Sequence, residues 1–379
     1  MSKGNGTQPV RRVLIYRMGS LGDTLVALPA LRLVARTFPE AERLMLTNIP
    51  VHVKAPPAEA ILRHSGLVQG YIRYAVGTRS LGELARLWWT LRRWRPEVLV
   101  YLGPNRGLAA AARDAKFFRL CGIRRLVGVP VREDMVRNLP EADGRLEPEA
   151  SRLVRNIAEL GDPRLADAAS WDLGLTVEEK ARAAEALAGL AGGPLIAASV
   201  GTKVQSKDWG RENWRELLRR LAMLYPGYSL MLNGAPEESE ASEFAAGGWL
   251  EAGGGPVVNL CGKLTPRESA AAFAHAEVFV GHDSGPMHLA AAVQTPCVAI
   301  FAARNIPRVW FPYGDRHRVV YHDVVCRGCG LETCIVEKKR CLTSITVDEV
   351  LAEVRALLGD VPGKSNAMIQ KDVTRDYAS

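Results

Sequence analysis

Apolar and polar positions follow two alternating rhythms along most of this chain. Residues 11–16, R-R-V-L-I-Y, form a short apolar run rich in β-branched side chains, which predicts a buried strand. R-M-G-S-L-G-D follows as a glycine-containing loop. Leu25, Leu28, Leu31, Val34, Ala35 and Phe38 then recur at helical spacing, predicting a helix over 24–38, and 43–47 reads as a second strand. Strand, loop, helix and strand in that order make a βαβ unit, hence a parallel sheet with helices on its faces. The alternation continues with a helix near 81–94, a strand at 98–102, a helix near 108–120 and a short strand at 126–129. Residues 130–150 read as loop and 151–161 as helix.

A break follows. The stretch 162–194 holds Asp162-Pro163, an Ala-rich helix and Ala191-Gly192-Gly193-Pro194, all punctuation between elements. A second βαβ series then begins: strand 195–200, helix 214–224, strand 228–232, strand 278–281, helix 287–293 and strand 297–301. The expectation is α/β throughout, with one Rossmann-like domain in residues 1–175, a second in 176–361 and a polar, disordered tail over 362–379. Two such domains place a ligand cleft between them, at the carboxyl ends of their strands.

Composition sharpens this picture in two respects. The 379 residues are 47% hydrophobic and 24% charged, so each half can build a core and wholesale disorder is excluded. No apolar run reaches the roughly 18–20 residues of a membrane span, and the first residues lack the apolar core of a signal peptide. A cytoplasmic address is therefore expected, in which seven Cys are thiols or metal ligands rather than disulfides. Charge is uneven: residues 1–175 hold 27 Lys+Arg against 17 Asp+Glu, whereas the remainder holds 22 against 24. The basic half suits an acidic partner, such as a phosphorylated substrate or an anionic membrane, unless it is only a solvated Arg-rich face.

Four loops carry the candidate chemistry. In Gly19-Ser20-Leu21-Gly22-Asp23 the glycines let backbone approach a ligand, and Asp23 is either a general base or a local helix cap. Gly201-Thr202-Lys203 with Lys207 supplies a hydroxyl and two ammonium groups that suit a diphosphate. Glu237 and Glu238, after Gly234-Ala235-Pro236, can accept ribose hydroxyls or sit as an exposed acidic pair. His282-Asp283-Ser284-Gly285-Pro286-Met287-His288 joins a strand to an apolar helix, the setting in which free N–H groups bind phosphate. There Asp283 or Ser284 is alternatively a plain N-cap, and His288 a buried structural residue. Neither G-x-G-x-x-G nor G-x-x-x-x-G-K-[ST] occurs, which disfavours a dinucleotide oxidoreductase and a P-loop NTPase. Finally, Cys326, Cys329, Cys334 and Cys341 fall within 16 residues, a spacing that suits a structural zinc or iron held by four thiolates, with reduced thiols or a disulfide as the alternative.

Together these loops resemble glycosyltransferase family 9, the ADP-heptose:lipopolysaccharide heptosyltransferases. The resemblance runs through V-L-I-Y-R-M-G-S-L-G-D-T-L, G-T-K-V-Q-S-K-D-W-G, N-G-A-P-E-E and G-H-D-S-G-P-M-H-L, and spans roughly residues 11–358. It implies a GT-B fold, with the acceptor in the first domain and the nucleotide-sugar in the second. It also implies inverting, metal-independent transfer. Asp23 matches the proposed general base. Thr202 and Lys207 match donor-phosphate positions, Glu238 the ribose glutamate, Asp283, Ser284 and Gly285 the donor loop, and His288 the histidine of its helix. Lys203 departs from the threonine of well-known members. The implied partners are ADP-heptose, a phosphorylated glycolipid or glycan acceptor, and peripheral contact with an anionic membrane, with no nucleic acid. No cofactor is required for catalysis, although some protein-modifying members carry cysteine-bound iron. Rival readings are a family member with another donor or with a protein or small-molecule acceptor, a same-fold nucleotide-sugar epimerase, a non-catalytic carbohydrate-binding relative, and a nucleic-acid-binding protein with a zinc knuckle.

Overall fold

The structure, a computed structural model, describes residues 9–48, 56–75, 80–190 and 192–359; the tail expected over 362–379 lies outside them. Among the described residues, eleven strands form two sheets. The first contains β1 (Arg12–Tyr16), β2 (Glu42–Asn48), β3 (Gly70–Tyr74), β4 (Val98–Tyr101) and β5 (Arg125–Val127), in the order β3-β2-β1-β4-β5. The second contains β6 (Leu195–Ser199), β7 (Ser229–Leu232), β8 (Val257–Asn259), β9 (Val278–His282), β10 (Cys297–Phe301) and β11 (Arg318–Tyr321), in the order β11-β10-β9-β6-β7-β8. Every pairing between these strands is parallel. Both are doubly wound α/β units, with order reversing between β1 and β4 in one and between β6 and β9 in the other.

The central strands β4, β6, β9 and β10 are buried along their whole length. Helices cover both faces of the sheet, which is why these strands read as unbroken apolar runs. The helix expected over 24–38 is two helices, Leu21–Val26 and Leu28–Thr37. Pro29 has no N–H to continue the ladder, so the second helix restarts with proline in its first turn. The segment 130–150, expected as loop, contains the single helical turn Glu133–Val136 and the start of the helix Glu149–Asn156.

Two contacts fix the units against each other. The helix Leu21–Val26 packs on the helix Gly285–Ala292 with little clearance. A Cβ at Gly22 would stand 3.0 Å from His288 Cδ2, and one at Gly285 3.1 Å from Leu21 Cδ2. On one flank of this contact Arg267, 3% exposed, donates to the carbonyls of Ile61, Leu173 and Gly174 at 2.8–3.0 Å and forks onto Glu179 at 2.6 and 2.8 Å. Elsewhere across the join, Arg308 bridges Glu141 and Asp143, and Trp171 stacks on Tyr313.

Removing one member of a buried, fully hydrogen-bonded ion pair leaves the other uncompensated. Arg267→Met is therefore expected to lower stability by about 3 kcal/mol or more. Urea denaturation of the variant against the parent checks this, and an unchanged midpoint would contradict the role of Arg267 as the join.

Candidate functional site

The loops following β1, β6, β7 and β9 line one cavity of about 830 Å³. It opens at the carboxyl ends of the strands, where order reverses between β6 and β9, the position that open α/β sheets use for ligands. Of the residues singled out from the sequence, Ser20, Gly22, Thr202, Lys203, Lys207, Glu238, Asp283, Ser284 and Gly285 line it. Gly19, Asp23 and His288 are not part of this lining but adjoin residues that are.

On the β1 side, Asp23 serves as the cap that the sequence left open. Its Oδ2 accepts from Ser20 N–H at 2.7 Å and from Ser20 Oγ at 2.9 Å. Its side chain remains 29% exposed, and Oδ1 lies 3.9 Å from the buried Arg17 guanidinium. Arg17 in turn donates to the carbonyls of Asp23 and Leu102, so the turn carrying the carboxylate is pinned to the sheet. Gly19 is required here. Its φ is +129°, and a Cβ would fall 2.3 Å from Asp23 Cγ. The bonds to Ser20 fall on Oδ2, and Oδ1 is the oxygen that approaches Arg17.

On the opposite side, Lys207 and Asp283 form a pair 2.7 Å apart, 15% and 5% exposed. Lys207 Nζ also donates to the Asp283 carbonyl at 2.9 Å, and Asn305 Nδ2 donates to Asp283 Oδ2 at 3.1 Å. Asp283 is thus engaged in orienting Lys207, for which its carboxylate and its carbonyl both serve as acceptors. Asn305, which sequence reasoning missed, completes this set from the loop after β10.

Of four buried hydroxyls without a partner among the described residues, those of Thr47, Tyr71, Ser199 and Ser284, the last two belong to the cavity lining. Ser199 Oγ, at the end of β6, and Ser284 Oγ, at the N-cap of the helix Gly285–Ala292, are buried and unpaired among the described residues. Ser284 holds the N-cap position without making the cap bond, leaving its hydroxyl for something else. A buried hydroxyl without a partner is costly, so this pair calls for a polar ligand. The adjacent helix start adds its free N–H groups, less the one that Pro286 lacks.

Glu238 Oε2 accepts from Ala235 N–H at 2.7 Å. Burial pushes its carboxyl up, against the opposing pull of that N–H and of Lys203. Gly201 and Gly234 make room for it, since Cβ atoms there would lie 2.2 Å from Glu238 Cδ and 2.4 Å from its Oε2. Thr202 Oγ1 is held locally by the N–H of Val204 at 3.3 Å. His288 is 7% exposed, and burial lowers its pKa to about 4, so it stands neutral between the two sides. His282 is structural: its Nε2 accepts from Trp209 N–H at 3.1 Å and Trp214 Nε1 at 3.3 Å.

The metal expected at Cys326, Cys329, Cys334 and Cys341 requires correction. Among the described residues no group of three or more His, Cys, Asp or Glu side chains could hold a metal ion. Besides burial, the nearby Cys326, Cys334 and Cys329 each push Cys341 up, yet the four thiols sit in unlike surroundings. Lys339 N–H donates to Cys334 Sγ at 3.2 Å and, with the N–H groups of Glu337 and Val336, holds that thiol below its usual range. Cys341 is half-buried against the second sheet's core and pushed up by burial, while Cys329 is exposed. The segment instead braces the Lys207 turn: Ser206 N–H and Oγ bond the carbonyls of Glu332 and Leu331, Gln205 Oε1 accepts from Cys334 N–H, and Lys339 Nζ reaches Asp208.

Two doubly wound parallel-sheet units with a cavity of mixed polar and apolar lining at their strand ends define a GT-B-type α/β protein. Residues 156–340 match the family model for glycosyltransferase family 9 (heptosyltransferase). Lipopolysaccharide heptosyltransferase 1 of Pseudomonas aeruginosa is 25% identical over 378 residues, covering 92% of this chain and 98% of that protein. Lipooligosaccharide heptosyltransferase 2 of Campylobacter jejuni is 29% identical over 102 residues, 27% of this chain and 32% of that protein. The chain thus spans about a third of the length of the C. jejuni relatives it matches. Among solved structures, E. coli ADP-heptose lipopolysaccharide heptosyltransferase II shares the fold with a TM-score of 0.62 at 20% identity, covering 92% and 98% of the two chains. A UDP-GlcNAc 2-epimerase from Methanocaldococcus jannaschii shares it at 0.51 and 14%, covering 96% and 99%. Residues 156–340 thus carry the glycosyltransferase family 9 domain, and the chain as a whole shares the fold of heptosyltransferase structures.

The neutral state of His282 has a measurable consequence. Burial lowers its pKa to about 4, from an ordinary value near 6.5. Between those values the unfolded chain takes up a proton that the folded one refuses. Stability present above pH 6.5 is therefore lost as pH falls towards 4, by about 3 kcal/mol from this residue. His288 and His317, both lowered to about 4 by burial, act in the same window. Urea midpoints across that range should fall with pH and do so less steeply in His282→Gln. An equal slope in the variant would refute the assignment.

Proposed function

We propose that this protein is an inverting glycosyltransferase that moves a heptose from ADP-heptose to a hydroxyl of a lipopolysaccharide inner-core type acceptor. The observation that carries the reading is the pair of unpartnered hydroxyls, Ser199 and Ser284, lining the same cavity as the Lys207 ammonium. Hydroxyl donors, an ammonium and a helix N-terminus suit a diphosphate. Support for the adenine nucleotide comes from the fold shared with E. coli heptosyltransferase structures containing ADP and ADP-2-deoxy-2-fluoro heptose.

In the proposed reaction the nucleotide-sugar lies in the 176–361 unit, with Thr202 and Lys203 along its phosphates and Glu238 towards its ribose. Asp23 Oδ1 takes the proton from the acceptor hydroxyl, whose oxygen attacks the anomeric carbon as the bond from that carbon to the diphosphate oxygen breaks. Configuration at the carbon inverts, and the charge gathering on the departing diphosphate is balanced by Lys207, which Asp283 and Asn305 hold in place. Neutral His288 adjoining the lining adds no charge to compete with either side. No cofactor takes part in these steps. The acceptor binds through residues 1–175, whose basic balance suits a phosphorylated glycolipid at the cytoplasmic face of a membrane. No helix among the described residues is long and apolar enough to cross one, and the contact in this proposal is peripheral.

Calorimetric titration with ADP, UDP and GDP tests the donor site. ADP is expected to bind preferentially, and Lys207→Ala to weaken it about tenfold or more through the lost charge-assisted contact. Preference for UDP or GDP would keep the fold and change the donor; no binding of any would refute the transferase reading.

Asp23→Ala is expected to keep ADP affinity while lowering turnover by about 10²–10⁴. Transfer at the parental rate would refute the base assignment.

A further inference from the structure

The first sheet is covered on one face by the helices Leu81–Trp94 and Leu108–Leu120, which pack inward through Leu87, Leu91, Ala111, Ala115 and Phe118. Their outward surface is unusual. Leu81, Trp88, Trp89 and Leu120 are 82%, 40%, 56% and 71% exposed, four of the largest apolar side chains on the surface brought onto one pair of helices. Trp88 Nε1 donates to Leu120 O at 3.1 Å, joining the two helices edge to edge. Core packing does not account for these side chains, since the inward stripe is already complete.

Cations frame the apolar residues. Residues 81–125 contain ten Lys or Arg and three Asp or Glu. Arg92 lies over the Trp88 ring at 5.8 Å and Arg93 over the Trp89 ring at 5.2 Å. Arg86, Arg92, Arg93, Lys116 and Arg119 are exposed, and among the described residues none of them is in a salt bridge. Of the three acids, Asp114 is half-buried under Arg106, and Glu97 caps the start of β1 through the N–H groups of Arg11 and Arg12. Glu83 faces solvent in the first turn of its helix, about three turns from Arg93.

Tryptophans beside unpaired arginines match the interfacial zone of an anionic bilayer, where indole rings settle at headgroup depth and guanidinium groups meet lipid phosphates. We infer that this two-helix face docks the protein peripherally on an anionic phospholipid surface, with Trp88, Trp89 and Leu120 entering the headgroup layer and Arg92, Arg93 and Lys116 binding lipid phosphate. Both helices begin after strands that end at the carboxyl edge of the first sheet, so the face runs away from the edge where the cleft opens. That arrangement would hold a lipid-linked acceptor within reach of the cleft. The docking surface extends the transferase reading, but vesicle binding needs no turnover and is measured separately.

The test is flotation of the full-length protein with vesicles of phosphatidylcholine alone and of phosphatidylcholine with a third phosphatidylglycerol. Binding is expected only to the anionic vesicles and is expected to fall with added salt. Trp89→Ala with Arg93→Glu should reduce binding at least about tenfold, the scale of removing cations worth about 1 kcal/mol each together with an interfacial anchor. ADP titration of the same variant, unchanged from the parent, shows that it is folded. Trp88→Ala is a second probe, because Trp88 also ties the helices together. Failure of the parent to bind anionic vesicles, equal binding to both vesicle types, or undiminished binding by the double variant would each overturn the proposal. So would capture on heparin that depends on the arginines alone, which would mark the face as a general polyanion site. If ADP binding is lost in the parent while vesicle binding persists, the transferase reading fails and the docking surface stands.

Discussion

A buried guanidinium must find an acceptor for nearly every N–H, and Arg267 finds its acceptors on three separate stretches of chain. Its partners are the carbonyls of Ile61, Leu173 and Gly174 and the carboxylate of Glu179. The first belongs to the β1–β5 unit, the next two to the connection, and Glu179 to the first turn of the helix Val177–Leu187. None of these groups can relax towards water, because the arginine is 3% exposed. One side chain therefore sets how the connection leaves the first unit and where the second begins. The cavity depends on that setting, since its walls come from both units.

Within the cavity, the same economy of polar groups separates residues that touch a ligand from residues that position them. Asp283 has the charge of a binding residue, yet its carboxylate is taken up by Lys207 and Asn305. Its effect on a ligand passes through the ammonium it orients. Arg17 stands in the same relation to Asp23, fixing the backbone carbonyl of the turn and lying 3.9 Å from the carboxylate. Ser199 and Ser284 are the converse case, with polar atoms and no protein partner. Charges that face a cleft need such orientation before they can act on a reaction, because reorganising them during the reaction would itself cost energy.

Most of the strands were legible because burial on both faces writes them as continuous apolar runs, as at β4, β6 and β10. The edge strand β3 was missed because its residues are only half-buried, and β8 because it has three. The helix Ser239–Glu251 escaped for another reason: its face is built from Ala, Ser and Gly, which give almost no amphipathic signal. Two other missed helices did carry a signal. Thr265 with Glu268 and Thr346 with Glu349 are capping boxes that mark the starts of Pro266–Phe273 and Val347–Leu358. In the site, loop placement followed from strand ends, but Asn305 and Arg17 could not be assigned without the fold that brings them to Asp283 and Asp23. The cysteine spacing did bring the four thiols near one another, but among the described residues they do not make a group that could hold a metal ion.

The glycines of the site make the strongest physical link between sequence and chemistry. At Gly19, Gly201 and Gly234 a Cβ would lie 2.2–2.4 Å from a carboxylate side chain, either Asp23 or Glu238. At Gly22 and Gly285 it would press on the facing unit. The first group lets two acids fold back against their own backbone, where N–H groups of Ser20 and Ala235 hold them. The second lets the helices of the two units touch. Any side chain at the first set would displace an acid, and any at the second would separate the walls, so a single structural requirement governs both the chemistry and the closeness of the cleft. The motif R-M-G-S-L-G-D is therefore read most economically as geometry: one glycine shapes the turn around Asp23, and the next seats that turn against His288 across the join.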